Sequence, residues 1–286
     1  RCALVTGVQT CALPIYYAEK FSPKVDERFA KEALSNGAVN QNYDFEGVDT
    51  VKVYSVPTSG MNDYKTTGLN RYGAAADLEN TVQTLKLTKD RSFTFVIDRK
   101  SEQDTMGVME AGKALARQLT EVVIPEIDIY RFAKIVAGAD ATQVKTAAIT
   151  KANAYESFLD AQVALTDSKV PTVGRIAYVG PQFYKNIKLD PAFIKSGDLA
   201  QETLIKGQVG EIDGVAIVLV PTSYLPDKVE FFVTHAVATT APVKLQDYKI
   251  HDNPPGINGS LVEGRVRYDA FVLDNKKKAI YVHKKA

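Results

Sequence analysis

Hydrophobic positions change period several times along this chain, and each change marks an element. Over residues 50–56 apolar and polar residues alternate, which predicts a strand. Leu85 and Leu87 alternate with Lys86 and Thr88, and Phe93, Phe95 and Ile97 alternate with Thr94 and Asp98. With Lys89-Asp90-Arg91 between them as a turn, the two runs predict a half-buried hairpin. The period then turns helical. Over 101–136, Val108, Leu115, Leu119 and Val122 form one stripe, and Ser101 with Asp104 has the form of a capping pair. Pro125 is expected to kink or break this helix near Val122. A second helix is expected over 141–166, with Val144, Ala148, Tyr155, Leu159 and Val163 on one side.

Strands follow. Residues 175–179 predict one that ends at Gly180-Pro181, before a short helix carrying Phe183 and Ile187. Residues 208–212 and 215–220 predict a hairpin, because Asp213-Gly214 suits the positive φ angles of a tight turn. The run VAIVLV is apolar on both parities, so its strand is expected to be buried on both faces. Residues 229–233 predict a further strand, Pro254-Pro255-Gly256 and Asn258-Gly259 a turn, and Val266, Tyr268, Ala270 and Val272 an alternating run against Arg267, Asp269 and Phe271. Ile280 and Val282 close the chain after the basic turn Lys276-Lys277-Lys278. Strands and helices do not alternate as βαβα, so the fold class is α+β.

Two stretches carry too few apolar residues for a core of their own. Residues 16–49 read as an arm: a short helix over 23–35 with Val25, Phe29 and Ala33 at four-residue spacing, a stop at Asn36-Gly37, and extended chain over 38–49. Residues 57–80, rich in Gly, Asn, Thr and Asp, hold only Met61, Leu69 and Leu78 as large aliphatics. A connection of this length inside a compact fold is usually functional or mobile. Residues 1–15 are different again. VTGVQTCALPI, from Val5 to Ile15, matches codon by codon one frame of a common sequencing-library adapter. The segment is expected to be an artefact fused to a gene whose own start is missing, rather than a signal peptide, since Gln9 and Thr10 interrupt its apolar run.

Both cysteines, Cys2 and Cys11, lie in that segment. The remainder therefore offers no disulfide, thiolate metal site or cysteine nucleophile. A length of 286 residues allows one large or two ordinary domains with a sizeable core. Lys+Arg at 35 against Asp+Glu at 34 argues against a protein that coats DNA by neutralising phosphates. No apolar run approaches the length of a membrane span.

Candidate chemistry is sparse. GVMEAGKA, Gly107 to Ala114, follows a predicted strand and matches a phosphate-binding loop up to its last position. There Ala114 replaces the Ser or Thr that would hold magnesium, and the intervening residues favour helix, so Gly112 is read as a small packing residue. His235, His251 and His283 are too scattered for a helix-borne metal pair and read as ordinary hydrogen-bonded or exposed side chains. Glu211 and Asp213 read as solvated hairpin charges, and Lys276 to Lys278 with Lys284 and Lys285 as a solvated tip and chain end rather than a DNA contact. No catalytic, cofactor-binding or metal residue is assigned, and no enzyme activity is expected.

The order of parts is similar to the Hong Kong 97-like capsid fold of tailed bacteriophages. The phrases that carry the resemblance are KFSPKVDERF, RSFTFVIDRKSEQDTMGV, GRIAYVGPQFYKNIK, VGEIDGVAIVLVPTSYLP and the closing stretch from Thr234 to His283. It spans residues 16–286 and implies an N-arm at 16–49, an extended E-loop at 50–84, and a P-domain hairpin strand and spine helix at 85–136. It further implies an A-domain at 137–243 and returning strands at 244–286. The implied function is that of a major capsid protein without cofactor, assembling with itself as hexamers and pentamers of an icosahedral head. Scaffold, portal and head-decoration proteins are the other partners implied, with DNA enclosed but not read by sequence and no membrane involved. The implied location is the virion, with assembly in the bacterial host cytoplasm. Other classes to be weighed are an encapsulin-like compartment of the same fold, a nucleotide-dependent enzyme using 107–113, and a secreted surface-binding protein.

Overall fold

The computed structural model describes residues 33–40, 50–55, 59–74, 77, 81–104, 110–195 and 210–286. A 3-10 turn, Leu34–Ala38, comes first. Strands β1 (Thr50–Ser55) and β2 (Thr81–Lys86) pair as an antiparallel ribbon, and β3 (Lys89–Asp98) follows at once. The helical stretch holds α1 (Arg99–Asp104), α2 (Ala111–Gln118), a π turn (Leu119–Val123) and α3 (Ile124–Ala137). Then come β4 (Val144–Thr146), α4 (Ala154–Asp167), β5 (Arg175–Val179), α5 (Pro181–Lys188) and α6 (Pro191–Lys195). The last part is β6 (Glu211–Ile212), β7 (Val215–Leu219), β8 (Val229–His235), β9 (Thr239–Thr240), β10 (Val243–Asp252), β11 (Gly259–Tyr268), β12 (Phe271–Val272) and β13 (Ile280–Lys284).

A mixed six-stranded sheet, ordered β4-β13-β8-β5-β7-β6, is covered on both faces. On one side α4, α5 and α6 bring Phe158, Leu165, Phe183, Ile187 and Phe193 onto Ala177, Val179, Phe231 and Val233. On the other, α3 brings Phe132 and Ile135 onto Tyr178, Phe232, Ile280 and Val282. Alternate residues of β5, β8 and β13 therefore feed two different cores, which is why these central strands are apolar on both parities. A second sheet, β10-β11-β3, lays Phe93, Phe95, Tyr248, Val262, Val266 and Tyr268 on Leu115, Leu119, Val123 and Ile127 of the helical spine. Gly264 is needed there, because a Cβ would stand 2.3 Å from the Phe93 ring.

Several expectations are met: the strand at the start of the long connection, α5 with Phe183 and Ile187 buried, and the β6–β7 hairpin, where Asp213 and Gly214 have φ of 52° and 75°. Others are corrected. No hairpin joins β2 to β3: β2 pairs β1, β3 pairs β11, and Lys89-Asp90-Arg91 already lie in β3. Helix α1 begins at Arg99, and Asp98 Oδ1 accepts from the Lys100 N–H, so Asp98 serves as cap rather than Ser101. Pro125 does not end the helix. The π turn before it lets the Ile124 N–H reach Leu119 O, five residues back, and the wider turn absorbs the crowding that proline causes. It also rotates the following residues, so Val123 packs inward while Val122 is 45% exposed.

The second helix starts only at Ala154. Val144 belongs to β4, which pairs parallel with β13, and the buried face of α4 is Ala154, Phe158, Ala161 and Leu165, with Leu159 and Val163 outward. The run 215–220 meets both cores: Val215 and Ile217 enter one, while half-buried Val218 packs on the other and Val220, just past β7, is fully buried in it. Asp269 is buried, not outward. Asn36-Gly37 lie inside the 3-10 turn rather than closing a helix, and the helix expected over 23–35 falls almost wholly outside the described residues.

Candidate assembly surface

The β1–β2 ribbon projects from the body but is fixed at its base. Leu85, Leu87 and Leu273 form a small buried cluster flanked by Val51, Val53 and Phe271. The Gln83 side chain donates to Val272 O at 2.9 Å and accepts from the Asp274 N–H at 3.1 Å. Asn275 donates to Ser55 Oγ at 3.1 Å. Where the chain crosses from the ribbon to β3, the Thr88 N–H and hydroxyl both donate to Asp269 Oδ2, at 2.9 and 2.7 Å. Asp269 Oδ1 accepts from the Tyr130 hydroxyl at 2.7 Å. Burial and that neighbouring carboxylate push the Tyr130 pKa up, so the phenol stays a donor. A ribbon of two strands has marginal stability alone; its footing on the body supplies the rest.

Beyond the ribbon the contacts among described residues are local. The Lys65 N–H donates to Arg71 O at 3.0 Å, and the Tyr64 and Tyr72 rings meet edge-on at 5.1 Å. Met61 and Leu69 are almost fully exposed, and Tyr72 is 84% exposed. Three large apolar side chains thus face solvent within this one connection.

Residues 34–36 are clasped onto α3. Asp128 accepts from the Leu34 N–H at 3.0 Å, the Ser35 N–H at 3.2 Å and the Ser35 hydroxyl at 2.5 Å. Arg131, one turn on, donates to Ser35 Oγ, Asn36 Oδ1 and Ala241 O at 3.0–3.1 Å. The Tyr178 hydroxyl donates to Leu34 O at 3.0 Å. Burial pushes the Asp128 carboxyl up and the Arg131 guanidinium down; the hydrogen bonds from Ser35 and Leu34 oppose the first shift, and the mutual charge opposes both. Asn40 continues the attachment, bridging to Thr240 and donating to Ala236 O at 2.9 Å. Sequence reasoning passed over this clasp. Its signal was an acid and a base on the apolar stripe Ile124, Ile127, Ile135, at positions 128 and 131.

The candidate catalytic groups do not converge. In the phosphate-loop match, Gly107 to Met109 lie outside the described residues, Gly112 to Ala114 are helical, and Lys113 pairs with Glu110 at 3.1 Å. His235 accepts from the Val237 N–H on Nδ1 and reaches Val173 O through Nε2, a local turn brace. His251 faces Glu263 at 3.2 Å on the surface. His283 is buried, stacked on Phe231 at 5.1 Å with Nε2 on Ala147 O, and burial pushes its pKa down. Glu211 and Asp213 are exposed, as are Lys276 to Lys278 in part. No group of three metal-ligating side chains exists among the described residues, and no described helix is long and apolar enough to cross a membrane.

This architecture is the one found in phage capsids. No protein-family model and no curated protein matches the sequence. Among solved structures, one of Mycobacterium phage Che8 is similar over 86% of this chain and 89% of its own, with TM-score 0.65 and 19% identity. The mature capsid of bacteriophage PhiM1 is similar over 84% and 83%, with TM-score 0.65 and 12% identity. A virus-like particle from Pyrococcus furiosus is similar over 93% and 99%, with TM-score 0.58 and 12% identity. The chain thus has an α+β fold that matches those of phage capsid structures and of this virus-like particle.

Proposed function

We propose that this chain is the major capsid protein of a tailed double-stranded DNA bacteriophage, a shell subunit that performs no catalysis. The observation that supports the reading is the anchored ribbon followed by Met61, Leu69 and Tyr72, which are largely exposed among the described residues. Residues 57–80 carry too few apolar residues to repay their own ordering entropy, so a neighbouring copy is expected to cover them. Closed symmetric association also hides the free edges of β1 and β2, which would otherwise invite open-ended pairing. In this reading 16–49 is the arm, 50–84 the loop that laps a neighbour, 85–136 the plate with its spine, 137–243 the A-domain, and 244–286 the strands returning to both sheets. The subunits form hexamers and pentamers of an icosahedral head in the host cytoplasm, with scaffold, portal and decoration proteins as further partners, and DNA is enclosed without base recognition.

An encapsulin-like compartment is the second reading, favoured by the similarity to the Pyrococcus furiosus particle. Portal, terminase and protease genes beside this one support the phage; a cargo enzyme gene in their place supports the compartment. Analytical ultracentrifugation of the purified chain tests the shell itself: particles far heavier than the 31.3 kDa subunit are expected, and a sole monomer peak under every assembly condition contradicts it.

A further inference from the structure

Helices α4 and α5 lie side by side over one face of the six-stranded sheet, and their outer surfaces carry opposite charge. From 154 to 167 the only ionisable groups besides Tyr155 are Glu156, Asp160 and Asp167. Asp160 is neutralised by Lys145. Glu156 and Asp167 have no ion-pair partner among the described residues, and they sit at the two ends of a ridge whose middle is Leu159, 38% exposed, and Val163, 59% exposed. Spacings of three and four residues put all four on one helix face. Helix α5 is the reverse case: it holds Lys185 and Lys188 and no acid, and Leu189, 52% exposed, follows directly. The Lys188 ammonium rests on the Tyr184 ring at 4.6 Å.

The two surfaces are held in fixed register. Buried Asp190, just after α5, accepts from the Tyr155 N–H at 2.9 Å and from the Ala192 N–H at 2.9 Å, tying the start of α4 to the α5–α6 corner. Asn186 of α5 donates to Ile149 O at 3.3 Å. Scattered exposed apolar residues need no explanation. An acidic-apolar ridge clamped beside a basic-apolar edge is a different matter, because it is complementary to another copy of itself.

We propose that this face is a contact between copies of the chain, in which the α4 ridge of one copy meets the α5 edge of a neighbour. Leu159 and Val163 pack towards the neighbour's Leu189, and Glu156 and Asp167 face its Lys185 and Lys188. Opposed charges at such a contact fix orientation and penalise wrong pairings more than they add affinity. The inference rests on the shell reading and names one of its interfaces.

The test is charge reversal with rescue. Glu156→Lys with Asp167→Lys turns the ridge basic and sets like charges across the contact; assembly, followed by light scattering, should weaken by about tenfold or more. Lys185→Glu with Lys188→Glu should do the same, and the chain with all four substitutions should recover assembly, since complementarity is restored. Glu156→Gln with Asp167→Asn should give a smaller loss and reduced salt sensitivity. Circular dichroism melting checks that each variant folds. Reversed variants that fold and assemble like the parent overturn the contact, as does a folded four-fold variant without recovery. Recovery only on adding a different protein would assign the face to that protein instead. A parent that never assembles counts against the shell reading itself, an outcome distinct from both.

Discussion

Asp128 and Arg131 show what a charged pair in a core does for this chain. Removing one partner leaves the other buried and its hydrogen-bond partners bare, so Arg131→Met is expected to destabilise the unassembled subunit by roughly 3–5 kcal/mol. Urea unfolding measures it; Ser35→Ala, Asp128→Leu and Arg131→Met together should recover part of the loss, and an Arg131→Met variant as stable as the parent would mean that the clasp is incidental. His283 makes a pH prediction. Its Nε2 donates to Ala147 O, so protonation would add a proton to buried Nδ1, which has no partner among the described residues. Its folded pKa is lowered, so on acidification the unfolded chain takes up the proton first. Stability from this group is complete above the unfolded value and falls as the pH drops from about 7 towards 5. The melting temperature should decline over that window, and less steeply in His283→Gln; equal slopes would assign the decline to other groups. ATP with magnesium should show no saturable binding lost in Lys113→Ala, because Ala114 offers no hydroxyl to the metal and Gly112 to Ala114 are locked in helix.

At the scale of elements, deletion of 60–71 with the strands rejoined by a short turn should leave a folded, soluble subunit and abolish or misdirect assembly. The ribbon and its footing on Leu273 and Gln83 survive that deletion while Met61 and Leu69 are lost. Circular dichroism and light scattering on both chains decide it, and normal shells from the shortened chain would remove the role given to that connection. The same elements show what was legible. Alternation around Phe93 and Phe95, the Asp213-Gly214 turn and the Phe183–Ile187 spacing are local signals, and the local structure follows them. The partner of a strand is not local. Thr88 crosses between sheets because Asp269, 181 positions away, receives it, so two alternating runs with a plausible turn between them imitate a hairpin. In α4 two stripes compete, and the tertiary core selected Phe158, Ala161 and Leu165 over Leu159 and Val163. The arm clasp was legible only as two charges inside an apolar stripe.

For the molecule as a whole, the sequence excludes particular chemistries: beyond residue 11 it offers no cysteine, and its three histidines are too scattered for a helix-borne metal pair. Its described residues instead place a six-stranded sheet, covered on both faces, and a three-stranded sheet, packed through one face, on one helical stretch. In the proposed shell, neighbouring subunits would cover the ribbon and the connection beyond it. Negative-stain electron microscopy of the purified chain, expressed alone and with the scaffold gene of its own genome, tests that account most directly. Closed shells of narrow diameter distribution are the predicted result. Well-folded monomers or open, irregular aggregates in both preparations would contradict it.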